Sequence, residues 1–172
     1  AKGVSDQICK ITQQDSTDVN IKQVDDYLSD LTTILKTLDF DEEVYLFDKG
    51  VVDQPTKDIA KNLFIVIGNI QNKFSTLRES WSDYLKIKVL DKSISDPINT
   101  ASGECEQHLS GIAELLSSFL KSDDNSQSPH SRWIEKNTLA NKKINYSLFS
   151  AQTDISDNLD ALIWSKASGA IL

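Results

Sequence analysis

Residues 55–90 read PTKDIAKNLFIVIGNIQNKFSTLRESWSDYLKIKVL, and Ile59, Leu63, Ile67, Ile70, Phe74, Leu77, Trp81 and Tyr84 recur through them at steps of three and four. This period places the apolar side chains on one stripe of a helix. Pro55 suits the first turn, where its missing N–H costs nothing, and Asp53 or Gln54 is the expected cap. At about 1.5 Å per residue the stretch makes a rod roughly 50 Å long. Gly68 costs up to about 1 kcal/mol against alanine in an exposed helix, so either a neighbour approaches closely there or the rod bends. A rod of this length predicts an elongated bundle rather than a compact α/β fold.

The same period extends outward on both sides. Upstream, Ile21, Val24, Leu28, Leu31, Leu35 and Leu38 form a stripe from about Asp18 to Leu38, and Val4, Ile8 and Ile11 suggest a shorter helix that carries Cys9. Phe40, Val44 and Phe47 keep a rough helical spacing, which predicts a short helix ended by Gly50. The β-branched and aromatic residues of Glu43–Val52 keep a strand open as the alternative there. Downstream, Asp96 as cap and Pro97 at the first helical position open a helix through Ile98, Ala101, Cys105, Leu109, Ile112, Leu116 and Phe119 to about Lys121. Ser122–Ser128 carries no apolar residue and reads as a loop. Ser128-Pro129 then begins a final helix in which Trp133, Ala140, Ile144, Leu148, Ala151, Ile155, Leu159 and Leu162 face one way to about Lys166, its stripe weakest near Asn137 and Asn141. The expected fold is therefore all-α: a single domain, residues 1–172, built as an elongated antiparallel bundle of four or five helices, two of them very long.

The chain of 172 residues is 39% hydrophobic, with 18 Lys and Arg against 26 Asp and Glu for a net charge of −8. A chain of this size buries enough surface to make a core without metals or dense disulfides. Its negative field opposes nucleic acid and anionic lipid. No apolar run approaches the roughly 18 residues of a membrane span, so no membrane insertion is expected. The chain has no methionine and begins Ala1-Lys2-Gly3, as a mature secreted chain would after a leader is removed. In an oxidising compartment a Cys9–Cys105 disulfide would close a loop of about 97 residues, worth about 3–5 kcal/mol; the alternative is two buried thiols. Asn145-Tyr146-Ser147 fits an N-glycosylation acceptor.

Few residues carry chemistry. Counted as a calcium loop from Asp39, the acidic stretch Asp39, Asp41, Glu42, Glu43, Asp48 and Asp53 places Val44 and Gly50 where glycine and a bidentate glutamate are needed, so it reads as solvated surface. Asp123, Asp124 and Asn125 fail in the same way. Cys105 and His108, three apart on one helix, are the one pair able to act as nucleophile and base, but no recognised pattern places a third group beside them. His130 has no such partner either. With six glycines and no cluster of them, phosphate loops are lacking. Arg132, Lys136, Lys142, Lys143 and Lys166 trace part of one face of the final helix, which reads as its polar side. No catalytic residue, metal ligand or cofactor is expected.

A mature-looking, acidic, helical chain with the stripes Ile21–Leu38 and Ile59–Tyr84, Cys9 and Cys105 resembles the small helical proteins secreted into arthropod saliva or haemolymph. It is similar, less closely, to fungal helical lipid-binding proteins of the hydrophobic-surface-binding class. Helical cytokines share its size but need longer crossovers. The expected function is that of a secreted, non-enzymatic protein that binds another protein through helix surfaces. The alternative is a carrier of a fatty acid or similar apolar ligand, its cavity lined by Phe64, Phe74, Leu77, Trp81, Leu109, Phe119 and Leu148.

Overall fold

The computed structural model describes residues 1–121 and 130–152. They fall into two compact units, a helical one of Ala1–Lys36 with Pro55–Leu120, and a second of Thr37–Gln54 with the described residues from 121 onward. The helical unit holds α1 (Lys2–Thr12), α2 (Asp18–Leu35), α3 (Gln54–Ile87) and α4 (Lys92–Leu120). The second unit holds β1 (Val44–Leu46), a 3₁₀ turn at Asp48–Gly50, β2 (His130–Thr138) and β3 (Ile144–Gln152). The all-α expectation is thus overturned: a three-stranded antiparallel sheet of order β1-β2-β3 stands where two helices were predicted.

The rod expected from residues 55–90 is α3. Apart from Val66, which flanks Ile67, its buried positions Thr56, Ala60, Leu63, Ile67, Ile70, Phe74, Leu77 and Trp81 alternate steps of four and three, the seven-residue period of helices packed lengthwise. On α4, Ser95, Ile98, Ser102, Leu109, Leu116 and Phe119 are buried with the same repeat. Three polar contacts fix an antiparallel register: Trp81 Nε1 donates to Asn99 Oδ1 at 2.8 Å, Arg78 pairs with Glu106, and Gln71 Nε2 donates to Ser110 Oγ at 3.5 Å. At the connected end, Ile8 of α1 joins Leu77, Trp81 and Ile98 in one buried cluster. A Cβ on Gly68 would meet open space, so a close helix approach is not what places glycine there.

Several helix limits differ from the sequence reading. The α4 helix begins at Lys92 rather than at Pro97, because Asp91 caps it: Asp91 Oδ1 accepts from Ser93 N at 2.8 Å, and its carbonyl accepts from Ile94 N and Ser95 N. Pro97 lies inside the helix. The α2 helix ends at Leu35, not Leu38, and of its stripe only Leu31 and Leu35 are buried, with Leu28 46% exposed.

The predicted helix over residues 39–50 is replaced by a turn, a strand and the 3₁₀ turn. Asp41 and Val44 exchange backbone bonds across a tight turn in which Glu42 takes a φ of 54°. Val44-Tyr45-Leu46, a β-branched and aromatic run, then pairs with β2 in the register Val44 opposite Glu135, Tyr45 opposite Ile134 and Leu46 opposite Trp133. Gly50, at φ 73°, and Lys49, at φ 50°, turn the chain away. Arg132, buried in mid-strand, holds that turn by donating from Nη1 to the Gly50 carbonyl at 2.9 Å.

The predicted final helix from Pro129 to Lys166 is overturned over its described part, which is a β-hairpin pairing His130–Thr138 with Ile144–Gln152. Its connection Leu139–Lys143 closes with Leu139 N donating to Lys143 O and Lys142 N to Leu139 O, with Lys142 left-handed at φ 62°. Asn141 Oδ1 accepts from Lys143 N at 3.0 Å. This is a three-residue hairpin loop with its third residue in the left-handed region. The remainder of the predicted helix, with Ile155, Leu159, Leu162 and Lys166, lies outside the described residues, as do Asp123, Asp124 and Asn125.

Candidate functional site

Alternation along the strands gives the sheet two faces of different character. One carries Tyr45, Ile134 and Leu148 in register, with Arg132 and Phe47 on the same side; Phe47, Arg132 and Ile134 are buried. Aromatic rings extend this face: Tyr45 meets Phe47 edge-on at 5.2 Å, and Phe40 packs against both Tyr45 and Tyr146 at 5.9 and 5.8 Å. Lys136 Nζ sits 5.6 Å from the centre of the Phe40 ring.

The other face presents Leu46, Trp133 and Phe149, one from each strand and directly opposite one another. Trp133 and Phe149 stack with centroids 5.2 Å apart and planes at 11°. Trp133 Nε1 donates to Glu135 Oε1 on the same face at 3.1 Å, which fixes the indole while leaving its apolar body in the row. Leu46 is 70% exposed and Val44, one pair along, 37%. Both indole and phenyl are only half-buried. The result is an apolar row running across the sheet at right angles to the strands, with Glu135 and Ser147 as its polar border.

The structure scatters most of the residues that the sequence singled out. Phe74, Leu77, Trp81, Leu109 and Phe119 are buried in the helical unit, while Phe64 is 39% exposed and Leu148 belongs to the sheet unit. Cys9 and Cys105 are both free thiols, each half-buried, so the expected cross-link is not made. Cys9 Sγ instead donates to the Asp15 carbonyl at 3.3 Å. His108 is exposed on α4 and lines an open hollow of about 680 Å³ with Ile112 and Glu114; Cys105 is not among that hollow's lining residues. Arg132 and Lys136 share one face of β2, and Lys142 and Lys143 lie at the hairpin tip, so the expected basic helical face does not exist. Asn145 is exposed at the start of β3, opposite Asn137. Among the described residues no group of three or more His, Cys, Asp or Glu is placed to hold a metal ion, and no helix is long and apolar enough to cross a membrane.

Helical periodicity places Trp133 on a stripe and Leu46 on no face, so only the strand register brings Leu46, Trp133 and Phe149 into one row. Pairing of distant segments carries the site, and its local signals are the β-branched and aromatic residues of Glu43–Val52, which hold β1, and the alternation in Ile144-Asn145-Tyr146-Ser147-Leu148. Compared with known proteins, the chain matches no family model and no curated protein.

Proposed function

We propose that this chain is a non-enzymatic docking module that binds another protein through the face of its sheet that carries Leu46, Trp133 and Phe149. The observation that carries the reading is the alignment of Leu46, Trp133 and Phe149 in one partly exposed row. A single exposed leucine is ordinary, but three large apolar side chains contributed by three paired strands make a contiguous patch of the kind that a partner covers. Tryptophan with a satisfied N–H is a strong anchor for such contacts, because it brings much apolar area and loses little side-chain freedom. The carrier alternative lacks comparable support, since most of its expected lining residues fill the helical core. The docking reading does not depend on the compartment.

The test is a photo-reactive phenylalanine placed at Leu46, with exposed Glu104 of α4 as the control position. In extract of the source cells, Leu46 gives a defined protein adduct that excess unlabelled wild type suppresses and the Leu46→Asp variant does not. Equal labelling from both positions, or no adduct at about micromolar chain, contradicts the proposal.

A further inference from the structure

With the strand order β1-β2-β3, the strand β3 forms one edge of the sheet. The middle strand β2 divides its backbone groups between its neighbours. Phe47 N donates to the Arg132 carbonyl at 3.2 Å and Lys136 N to the Glu43 carbonyl at 2.7 Å, so the even-numbered residues of β2 bond to β1. Its odd-numbered residues therefore bond to Asn145, Ser147, Phe149 and Ala151 of β3. This leaves the N–H and C=O groups of Ile144, Tyr146, Leu148, Ser150 and Gln152 pointing away from the sheet, and none of them meets a backbone partner among the described residues.

The opposite edge is protected. There β1 is only 3 residues long, and its outward groups at Val44 are consumed by Asp41, which exchanges backbone bonds with it at 3.1 and 3.0 Å. Asp41, Glu42 and Glu43 add charge beside it. By contrast β3 runs for 9 residues in unbroken register with β2, without a proline or a charged side chain. Edges are ordinarily blunted by shortness, charge or proline, because a bare one is a template for another strand.

Self-complementarity names the strand that fits. When a second β3 runs antiparallel with its Leu148 opposite this Leu148, Tyr146 falls opposite Ser150 and Ile144 opposite Gln152. Every outward residue then has a hydrogen-bonded pair, about ten bonds in all. On one face Leu148 meets Leu148. On the other each Phe149 lies opposite the second copy's Ser147 and diagonal to its Phe149, within aromatic reach at about 7–8 Å. The strand itself brings no like charges together despite the net charge of −8. The basic hairpin tips, Lys142 and Lys143, come to opposite ends of the joint, about 30 Å apart at about 3.4 Å per residue, whereas a parallel pairing would set them side by side.

We infer that two copies of this chain join through β3 as a two-fold dimer, with one continuous antiparallel sheet of order β1-β2-β3-β3-β2-β1. Assembly stops at two because both outer edges are then the protected β1. The joint lies at the sheet's edge, so it does not depend on the row Leu46–Trp133–Phe149 having a partner.

Sedimentation of the full chain from about 1 μM to 1 mM is expected to show monomer passing to dimer and nothing larger. Over the same range, amide exchange at Tyr146, Leu148 and Ser150 slows with concentration, while Asn145, Ser147 and Phe149, bonded to β2, are slow throughout. Ser150→Pro deletes an outward N–H that β2 does not use, and Ser147→Lys sets a charge opposite the second copy's Phe149. Each is expected to weaken dimerisation about tenfold or more, and slow exchange at Asn145 verifies that the hairpin persists in both variants. A chain still monomeric at about 1 mM, assemblies larger than a dimer, or dimers insensitive to both variants would overturn the inference. So would edge amides already protected in the monomer, as a strand from the same chain would make them.

Discussion

Replacing Lys142 by glycine separates the hairpin from a helix by the sign of the effect. Lys142 holds a φ of 62° as the third residue of the loop between β2 and β3. An L-residue with a Cβ costs roughly 1–2 kcal/mol there, a penalty that glycine escapes. Glycine also frees the unfolded chain, which offsets roughly 0.5–1 kcal/mol of the gain. The net expectation for Lys142→Gly is a hairpin more stable by about 0.5–1 kcal/mol. The loop bonds from Leu139 N to Lys143 O and from Lys142 N to Leu139 O involve backbone only and survive the change. In a helix running through residues 129–166 the same substitution would sit in the interior and destabilise by a similar amount. Hydrogen exchange of the amides of Asn137 and Asn145, which face one another across β2 and β3, reads the difference, with exchange slowed about two- to fivefold where local opening controls it. Faster exchange in the glycine variant would refute the hairpin reasoning.

Three further substitutions test the helical unit. Gly68→Ala in α3 meets no neighbouring atom and gains helix propensity, so urea unfolding should show a stabilisation of up to about 1 kcal/mol. Phe74→Ala removes a side chain with no exposed surface from the α3 stripe and should cost about 3–5 kcal/mol in the same assay. Asp91→Ala removes the α4 cap. The Ser93 amide lowers the folded carboxyl's pKa, so the cap stabilises above the unfolded-state pKa and loses this contribution as pH falls through the folded one. Melting temperatures of wild type and variant should therefore differ at neutral pH and converge in strong acid.

What was legible in the sequence was the helical unit. The α3 stripe from Leu63 to Trp81 is buried as its period requires, because a helix encodes its face locally, at steps of three and four. Of the sheet, β1 was legible as the strand left open over Glu43–Val52, while the hairpin of β2 and β3 was not, for a physical reason as well. Ala140, Ile144, Leu148 and Ala151 are spaced four, four and three apart and so imitate a helix stripe, yet Ala140 lies in the loop and Leu148 and Ala151 point to opposite faces of the sheet. The deciding features were Asn141 bonding to Lys143 N, Lys142 in a left-handed conformation, and pairing to β1 some ninety residues away in sequence, about which a local window says nothing. The docking row inherits that difficulty, since Leu46 and Trp133 meet only through strand register. The α4 start illustrates a smaller case: Pro97 drew attention from Asp91, whose side chain makes the cap.

Hydroxyl-radical footprinting of the free chain, and of the same chain in extract of its source, tests the docking face most directly. The account predicts that Leu46, Trp133 and Phe149 oxidise readily in the free protein and become protected together once the partner is present. A row already protected in isolation, or three side chains that respond independently of one another, would contradict it.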